Sequence, residues 1–472
     1  MNIKHHELAI PSGNPFVNCK LKRNEYAHIL TNVIESYPDG FVMAINNKWG
    51  TGKTTFIKMW DQYLKDSEYQ TIYFNAWEND FENNPLTALM GELNALKTQK
   101  TEEQFVSVLK KASKISKHIL PTIVKAVAEK YINTETIIDA ISDVSKGVAD
   151  IFENDVEEYS KRKKSIEEFK TELAVFIANT SNLKPLVFII DELDRCRPNY
   201  AVSILEQIKH FFSVPNIVFI LSIDKQQLGN AICGVYGSDK IDSEEYLKRF
   251  IDIEYSLPKP NQDLFYKYLY EYFNFDEFFN NPKRQVYSEL NRDKESFLNI
   301  CQILFNDSNV TLRQQERIFS HSRLALKSFS VNNYLLPGLY LFLVYLKTIK
   351  SNLYDAINQK ILSVEELQEK FIEIISKNLN ENSERQIIWL EVYLLNSYNN
   401  YLHYPTRNRL LNWDASGVKV CRIKSLIDKS ENNNDFINIL DSMSRISNGN
   451  LEDLSIEHLL KKINITESFK TE

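Results

Sequence analysis

Asn47-Lys-Trp-Gly-Thr-Gly-Lys-Thr54 is the stretch on which the fold turns. Before it, Phe41-Val-Met-Ala-Ile45 is an apolar run of strand length; after it, Phe56, Ile57, Trp60 and Leu64 recur at helical spacing. A glycine-bearing turn between a strand and a helix, closed by Lys-Thr, is the setting in which main-chain N–H groups cradle phosphate. Gly50 and Gly52 offer backbone with no Cβ in the way. The helix that follows adds the partial positive charge of its N-terminus. The chain has only 12 glycines in 472 residues, about 2.5% against a usual ~7%, so two so close together ask for a reason.

In this reading Asn47, Lys48, Trp49, Gly50, Thr51, Gly52, Lys53, Thr54 and Thr55 bind the nucleotide. Lys53 reaches the β- and γ-phosphates, and the Thr54 hydroxyl ligates Mg²⁺. One letter departs from G-x-x-x-x-G-K-[ST]: the first glycine is Asn47. Asparagine tolerates positive φ better than most residues, so the turn can still form. The departure weakens the expectation of tight nucleotide binding.

Further along, Thr71 to Phe74 reads as a second strand leading into Asn75-Ala-Trp77. Leu186-Val-Phe-Ile-Ile190 is a continuous apolar run, as in a central parallel strand buried on both faces, and it ends in Asp191-Glu-Leu-Asp-Arg195. Asp191 is placed to hold Mg²⁺ through water, and Glu192 to polarise the attacking water, with Asp194 a rival for that role. Ile217 to Ile223 is another buried strand. Asp224 after it either senses the γ-phosphate through water or caps the next helix. Arg195, Arg197, Arg249 and Arg313 are candidate charge stabilisers, each with an ordinary salt bridge as the competing role. Strands alternating with helices imply a parallel α/β sheet.

Upstream, Arg23 to Ser36 has an amphipathic helical pattern broken by Pro38-Asp39-Gly40. Residues 97–175 are charged and almost free of glycine. Ile137, Ile141, Val144, Val148 and Ile151 form a helical stripe, and Glu157–Lys161 and Glu158–Arg162 are spaced as i,i+4 pairs. This is a helical insertion. Lys161-Arg-Lys-Lys164 is a possible nucleic-acid patch, but its acidic neighbours favour a solvated helix face. From residue 261 the pattern is helical, with long loops around 280–294 and 404–418. The aromatic cluster Phe265 to Phe279 has acidic neighbours and reads as helical core rather than a base-stacking surface. Tyr334 to Leu346 is apolar for 13 residues with Pro337 and Gly338 inside it. A spanning helix needs about 20, so a buried helix is expected.

Composition excludes other classes. The hydrophobic fraction is 43%, and the net charge is -7, so no global basic field gathers nucleic acid or anionic lipid. Five scattered cysteines form no CxxC pair and no zinc-like spacing. The first residues lack an apolar signal-peptide core. A reducing cytoplasm is the expected location.

At these residues the chain resembles the KAP family of P-loop NTPases. The likeness is carried by Lys48 to Thr54, Phe74-Asn-Ala-Trp77, Phe188-Ile-Ile-Asp-Glu-Leu-Asp-Arg-Cys196, and Tyr246-Leu-Lys-Arg-Phe250 followed by Leu257-Pro258. Thr311-Leu-Arg313, with Glu316-Arg317, is similar to the family's lid-helix signature, and the whole runs from about residue 20 to 330. The resemblance implies a core with an additional strand between the Walker A and Walker B strands, and a helical insertion between those motifs. Many relatives carry transmembrane helices in that insertion; this one is too polar. The resemblance also makes Arg313 a sensor arginine reaching the γ-phosphate from the lid.

The expected fold is thus α/β: a P-loop NTPase parallel sheet with a helical insertion, a helical lid and a mainly α-helical C-terminal domain. Residues 1–96 and 176–260 form the core, 97–175 the insertion, 261–330 the lid and 331–472 the C-terminal domain. The expected function is Mg²⁺-dependent ATP hydrolysis driving a conformational or assembly switch. Protein partners or a homo-oligomer are expected. Relatives act in phage exclusion and antiviral defence, one type beside a QueC-like enzyme and a TatD-like nuclease. A nucleotide-gated scaffold with little turnover and a nucleic-acid-stimulated motor are the alternatives.

Overall fold

A computed structural model describes residues 7–82, 84–115, 151–180, 184–211, 214–238, 240–305, 310–376, 383–404, 406, 408–445 and 454–464. The chain divides into two compact units, Leu8–Pro258 and a second built on Lys259–Glu472. Residues 8–258 of the expected core and insertion segments fall in the first; residues 1–7 and 259–260 of the expected core group with the expected lid and C-terminal segments in the second.

In the first unit, elements alternate: α1 (Asn24–Ser36), β1 (Phe41–Asn46), α2 (Lys53–Asp66), β2 (Thr71–Asn75), α3 (Pro85–Asn94), α4 (Glu102–Ile115), α5 (Ile151–Thr180), β3 (Leu186–Asp191), α6 (Pro198–Phe211), β4 (Ile217–Ile223), α7 (Lys225–Tyr236), α8 (Ser243–Leu247) and β5 (Ile253–Tyr255). The strands form one parallel sheet in the order β2-β3-β4-β1-β5. β4 therefore lies between β1 and β3, the extra strand the resemblance implied. Both faces of the sheet are covered, which is why β3 and β4 are apolar along their length. Phe41, Met43 and Ile45 pack with Val187, Ile189, Val218 and Ile220 under α1 and α2. The alternate residues Val42, Ala44, Phe188, Ile190, Phe219 and Leu221 pack under α3 to α7. Period-two alternation thus gives each strand two dry faces.

α4 packs on α5, with Phe105 and Phe176 rings 5.2 Å apart and a Lys111–Glu168 ion pair. Lys163 and Lys164 are exposed on α5, and Lys164 lies 4.0 Å from Glu168. The Ile137–Val148 part of the stripe, and the side chains of Ile151, Glu157, Glu158, Lys161 and Arg162, lie outside what is described.

The second unit is helical: α9 (Gln262–Tyr272), α10 (Asp276–Phe279), α11 (Pro282–Gln285), α12 (Asp293–Phe305), α13 (Leu312–Leu326), α14 (Pro337–Ile349), α15 (Ser351–Asn358), α16 (Val364–Ile375), α17 (Glu384–His403), α18 (Asn434–Arg445) and α19 (Glu457–Asn464). The aromatic cluster is core, with Phe275 5.0 Å from Phe297 and 5.5 Å from Phe319. α14 buries every residue from Pro337 to Leu346. Two expected loops are structured instead. Residues 280–294 hold α11 and a 3-10 turn at Ser288–Leu290, fixed because buried Arg284 binds Asp293 and the carbonyls of Val331 and Asn333. Residues 404–418 lead into an antiparallel pair, β6 (Leu411–Trp413) with β7 (Lys419–Cys421), turned at Gly417 with φ 77°.

Candidate nucleotide site

The loop between β1 and α2 is held from both ends. At its start, Asn47 N–H donates to the Ile223 carbonyl at 3.1 Å. The Asn47 carboxamide makes a reciprocal pair with the backbone of Leu257: Oδ1 accepts from Leu257 N at 2.8 Å and Nδ2 donates to Leu257 O at 3.0 Å. Positive φ was the expected reason for asparagine here, but Asn47 is not among the positive-φ residues. The side chain earns the position by hydrogen bonding, which glycine cannot do. At the loop's end, buried Arg23 donates to the carbonyls of Thr51 at 2.9 Å and Gly52 at 3.0 Å. Gly50 and Gly52 have φ of 77° and 81°, in the left-handed region that favours glycine. Lys48 and Thr55 are exposed and Thr54 half-buried; Thr51 Oγ1 closes the turn on Lys48 O at 2.9 Å.

Lys53, the first residue of α2, is buried, and its ammonium donates to the Asn47 carbonyl. Burial pulls its pKa down, while Asp194, Asp224 and Asp191 oppose that shift. Three of the expected carboxylates are thus brought around the expected lysine. Asp191 is 1% exposed at the end of β3, accepting from Tyr73 Oη and from Glu192 N, each at 2.9 Å. Asp224 caps α7, its Oδ1 accepting from Gln227 N at 3.3 Å, while Oδ2 accepts from Trp49 N of the phosphate loop at 3.2 Å. Asp194 accepts from the Trp49 indole N–H. Burial pushes the Asp194 carboxyl up, with Lys53 holding it back.

Glu192 has φ 60° and ψ 24°, a left-handed conformation in a non-glycine residue. Such strain persists where the surroundings impose it, and it clusters at functional sites. Its carboxylate meets Arg195 and, at 3.4 Å, Asn75 Nδ2. Burial raises its pKa, Arg195 opposes the rise, and Asp191 adds to it. Arg197 is taken up elsewhere: N and Nε each bond the Asp80 carboxylate at 2.7 Å. Arg249 is exposed after α8. Arg313 is exposed in the first turn of α13 in the second unit, after Thr311 and Gln314 form a capping box.

No role followed from the sequence for Arg23, Tyr73 or Ser222, and Asn75 stood only within the Phe74–Trp77 likeness. Ser222 is fully buried in β4, in register with Asp191, and its Oγ has no hydrogen-bond partner among the described residues. A buried hydroxyl of this kind suits a ligand oxygen or an ion's water shell. Thr54, Asp191 and Ser222 offer hard oxygen donors of the sort Mg²⁺ takes. Among the described residues no group of three His, Cys, Asp or Glu could hold a metal by itself. No helix among the described residues is long and apolar enough to cross a membrane.

A parallel sheet with the Lys53 loop after β1 and Asp191-Glu192 after β3 defines a P-loop NTPase, a nucleotide-binding protein. The KAP family P-loop domain model matches residues 23–322, more than half of the chain, and the chain belongs to that family. It is 22% identical over 230 residues to the phage T7 exclusion protein of Escherichia coli strain K12. That match covers 46% of this chain and 30% of the relative, so the chain spans under a third of that relative's length. The Aeropyrum pernix ORC2 protein, solved as ADPNP–ADP complexes, overlays with 13% identity and a TM-score of 0.35, covering 93% of this chain and 97% of that one. Its ADP form gives 13% and 0.34. Scores so low bear on neither fold nor function.

Proposed function

We propose that this chain is a cytoplasmic, Mg²⁺-dependent ATPase whose turnover drives a conformational or assembly switch in bacterial defence against phage. The observation that carries the enzymatic part is the gathering of Asp191, Asp194 and Asp224 around Lys53 at the phosphate loop, with Glu192 beside them. The loop amides and Lys53 bind the β- and γ-phosphates; Thr54 and Asp191 would hold Mg²⁺. When bound, that ion neutralises charge across the β- and γ-oxygens. Glu192 takes a proton as the water oxygen bonds to Pγ, and the bridging oxygen leaves on ADP with the electron pair. Asp194 is tied to Trp49 and Glu192 to Arg195 and Asn75, and Glu192 is preferred as base because it directly follows Asp191 at the end of β3. Asp224 links the loop to α7 and is suited to report on the γ-phosphate. Arg313 is the lid arginine of this reading, and residues 261–330 its lid.

The defence role is supported by the similarity to a phage exclusion protein. A QueC-like enzyme and a TatD-like nuclease are the partners that the family resemblance suggests. Steady-state phosphate release tests the enzymatic reading. Lys53→Ala is expected to abolish it, and Glu192→Gln to bind ATP without turnover. Full activity in Lys53→Ala would falsify the phosphate-loop assignment; rapid hydrolysis by Glu192→Gln moves the base to Asp194. Loss of phage protection in cells carrying Lys53→Ala tests the defence role.

A further inference from the structure

Trp49 and Trp77 are 41% and 54% exposed, unusual for tryptophan unless the surface is used. Trp49 belongs to the phosphate loop and Trp77 to the turn after β2. Between them lies Arg195, its guanidinium carbon 5.9 Å from the Trp49 ring centroid and 6.0 Å from that of Trp77. Both distances are within cation–π reach. A guanidinium resting on indole faces keeps its N–H edge available for hydrogen bonds. Here that edge holds the Glu192 carboxylate through Nη1. One wall of the slot is fixed, because the Trp49 amide is bound to Asp224 and its indole N–H to Asp194. The charge balance around it is lopsided. Lys53 faces Asp191, Asp194 and Asp224, with Glu192 next to them. Arg23, the other nearby guanidinium, is turned to the loop carbonyls. A γ-phosphate entering this acidic mouth needs a further cation, and Arg195 borders it.

We propose that Arg195 is a catalytic residue acting in cis: with ATP bound, its guanidinium turns within the Trp49–Trp77 slot from Glu192 to the γ-phosphate. This rests on the ATPase reading above. The move does two things at once. It places a positive charge against the oxygens that gain charge as the Pγ–O bond to ADP breaks, and it releases the Glu192 carboxylate to accept the proton of the attacking water. Trp77 is a positioning residue that holds the guanidinium over the loop.

The experiment compares the wild type, Arg195→Ala and Trp77→Ala in single-turnover and steady-state ATP hydrolysis. Arg195→Ala is expected to lose about 10²–10³-fold in kcat with little change in KM. Millimolar guanidinium ion is expected to restore part of the lost rate, which a merely structural role would not allow. Trp77→Ala is expected to fall between the two. Adding AMP-PNP with Mg²⁺ is expected to change tryptophan fluorescence in the wild type more than in Arg195→Ala. Wild-type or faster kcat in Arg195→Ala makes the residue a clamp on Glu192 only and overturns the proposal. Loss of kcat without guanidinium rescue also overturns it. If Arg195→Ala does not fold, Arg195→Lys replaces it: about tenfold loss in kcat is expected, since a lysine lacks the planar fork, and full activity refutes the proposal. A wild type with no turnover overturns the ATPase reading itself, a result distinct from either.

Discussion

Restoring the glycine that the phosphate-loop pattern calls for is expected to harm this protein. Asn47→Gly removes both hydrogen bonds to Leu257, of 2.8 and 3.0 Å, and strands the backbone groups of a residue that is 3% exposed. Each such bond contributes about 0.5–1.5 kcal/mol net, and a glycine outside the left-handed region adds roughly 0.5–1 kcal/mol of backbone entropy. The sum is about 1.5–4 kcal/mol. For a unit the size of Leu8–Pro258 each kcal/mol lowers the melting temperature by about 2–4 °C, so a drop of about 3–16 °C is expected for its transition. Calorimetry reads the transition, and amide hydrogen exchange reads the bond directly, since the Leu257 N–H loses its acceptor. An unchanged or higher melting temperature, with Leu257 as protected as before, refutes the reasoning and returns Asn47 to a tolerated substitution.

Burial raises the Glu192 pKa, and a general base must be ionised. The ATPase rate is therefore expected to fall on acidification at a pH above the ordinary glutamate value of about 4.3; a rate that stays flat down to that value counts against Glu192. In the second unit, Asp293→Ala leaves the fully buried Arg284 without its carboxylate. Urea unfolding is expected to show a loss of about 3–5 kcal/mol, and a loss under about 1 kcal/mol would mean that the two carbonyls alone satisfy the guanidinium. Glu391 is buried between Gln368 Nε2 at 2.7 Å and Ser425 Oγ at 2.5 Å, and burial raises its pKa. Folded and unfolded forms are both protonated below the unfolded value, so the full stability is present there. It is lost as pH rises through the raised folded value, because the folded state then lags in releasing its proton. Glu391→Gln is expected to flatten that slope across urea titrations at successive pH, and an equal slope in both proteins would assign it to another group.

The centre of the sheet was legible because its chemistry is local. β3 and β4 are buried on both faces, so their apolar runs announce them, and the acids that follow sit where the strands end. β5 was missed because it is three residues long at the sheet edge, with too little alternation to register. Arg284 is likewise invisible in sequence: it turns residues 280–294 from an apparent loop into packed structure through carbonyls more than forty residues away. In the site, Lys53, Asp191, Glu192, Asp194 and Asp224 follow from type and spacing. Arg23 and the pairing of Asn47 with Leu257 do not, since they join residues 28 and 210 apart along the chain. Of the two roles expected for Asp224 the helix cap is the one the geometry displays, and the bond from its second oxygen to the Trp49 amide joins residues 175 apart that no spacing could pair.

Leu257 stands one residue before Pro258, where the first unit ends. The carboxamide of Asn47 thus couples the phosphate loop to the point at which the main chain departs for the second unit. Proline fixes its own φ near -65°, so little of a displacement at Leu257 can be absorbed in that next torsion. Both backbone groups of the last residue before Pro258 are thus held by a side chain of the phosphate loop. The letter that departs from the motif is in this sense a linkage, and a glycine there would disconnect it.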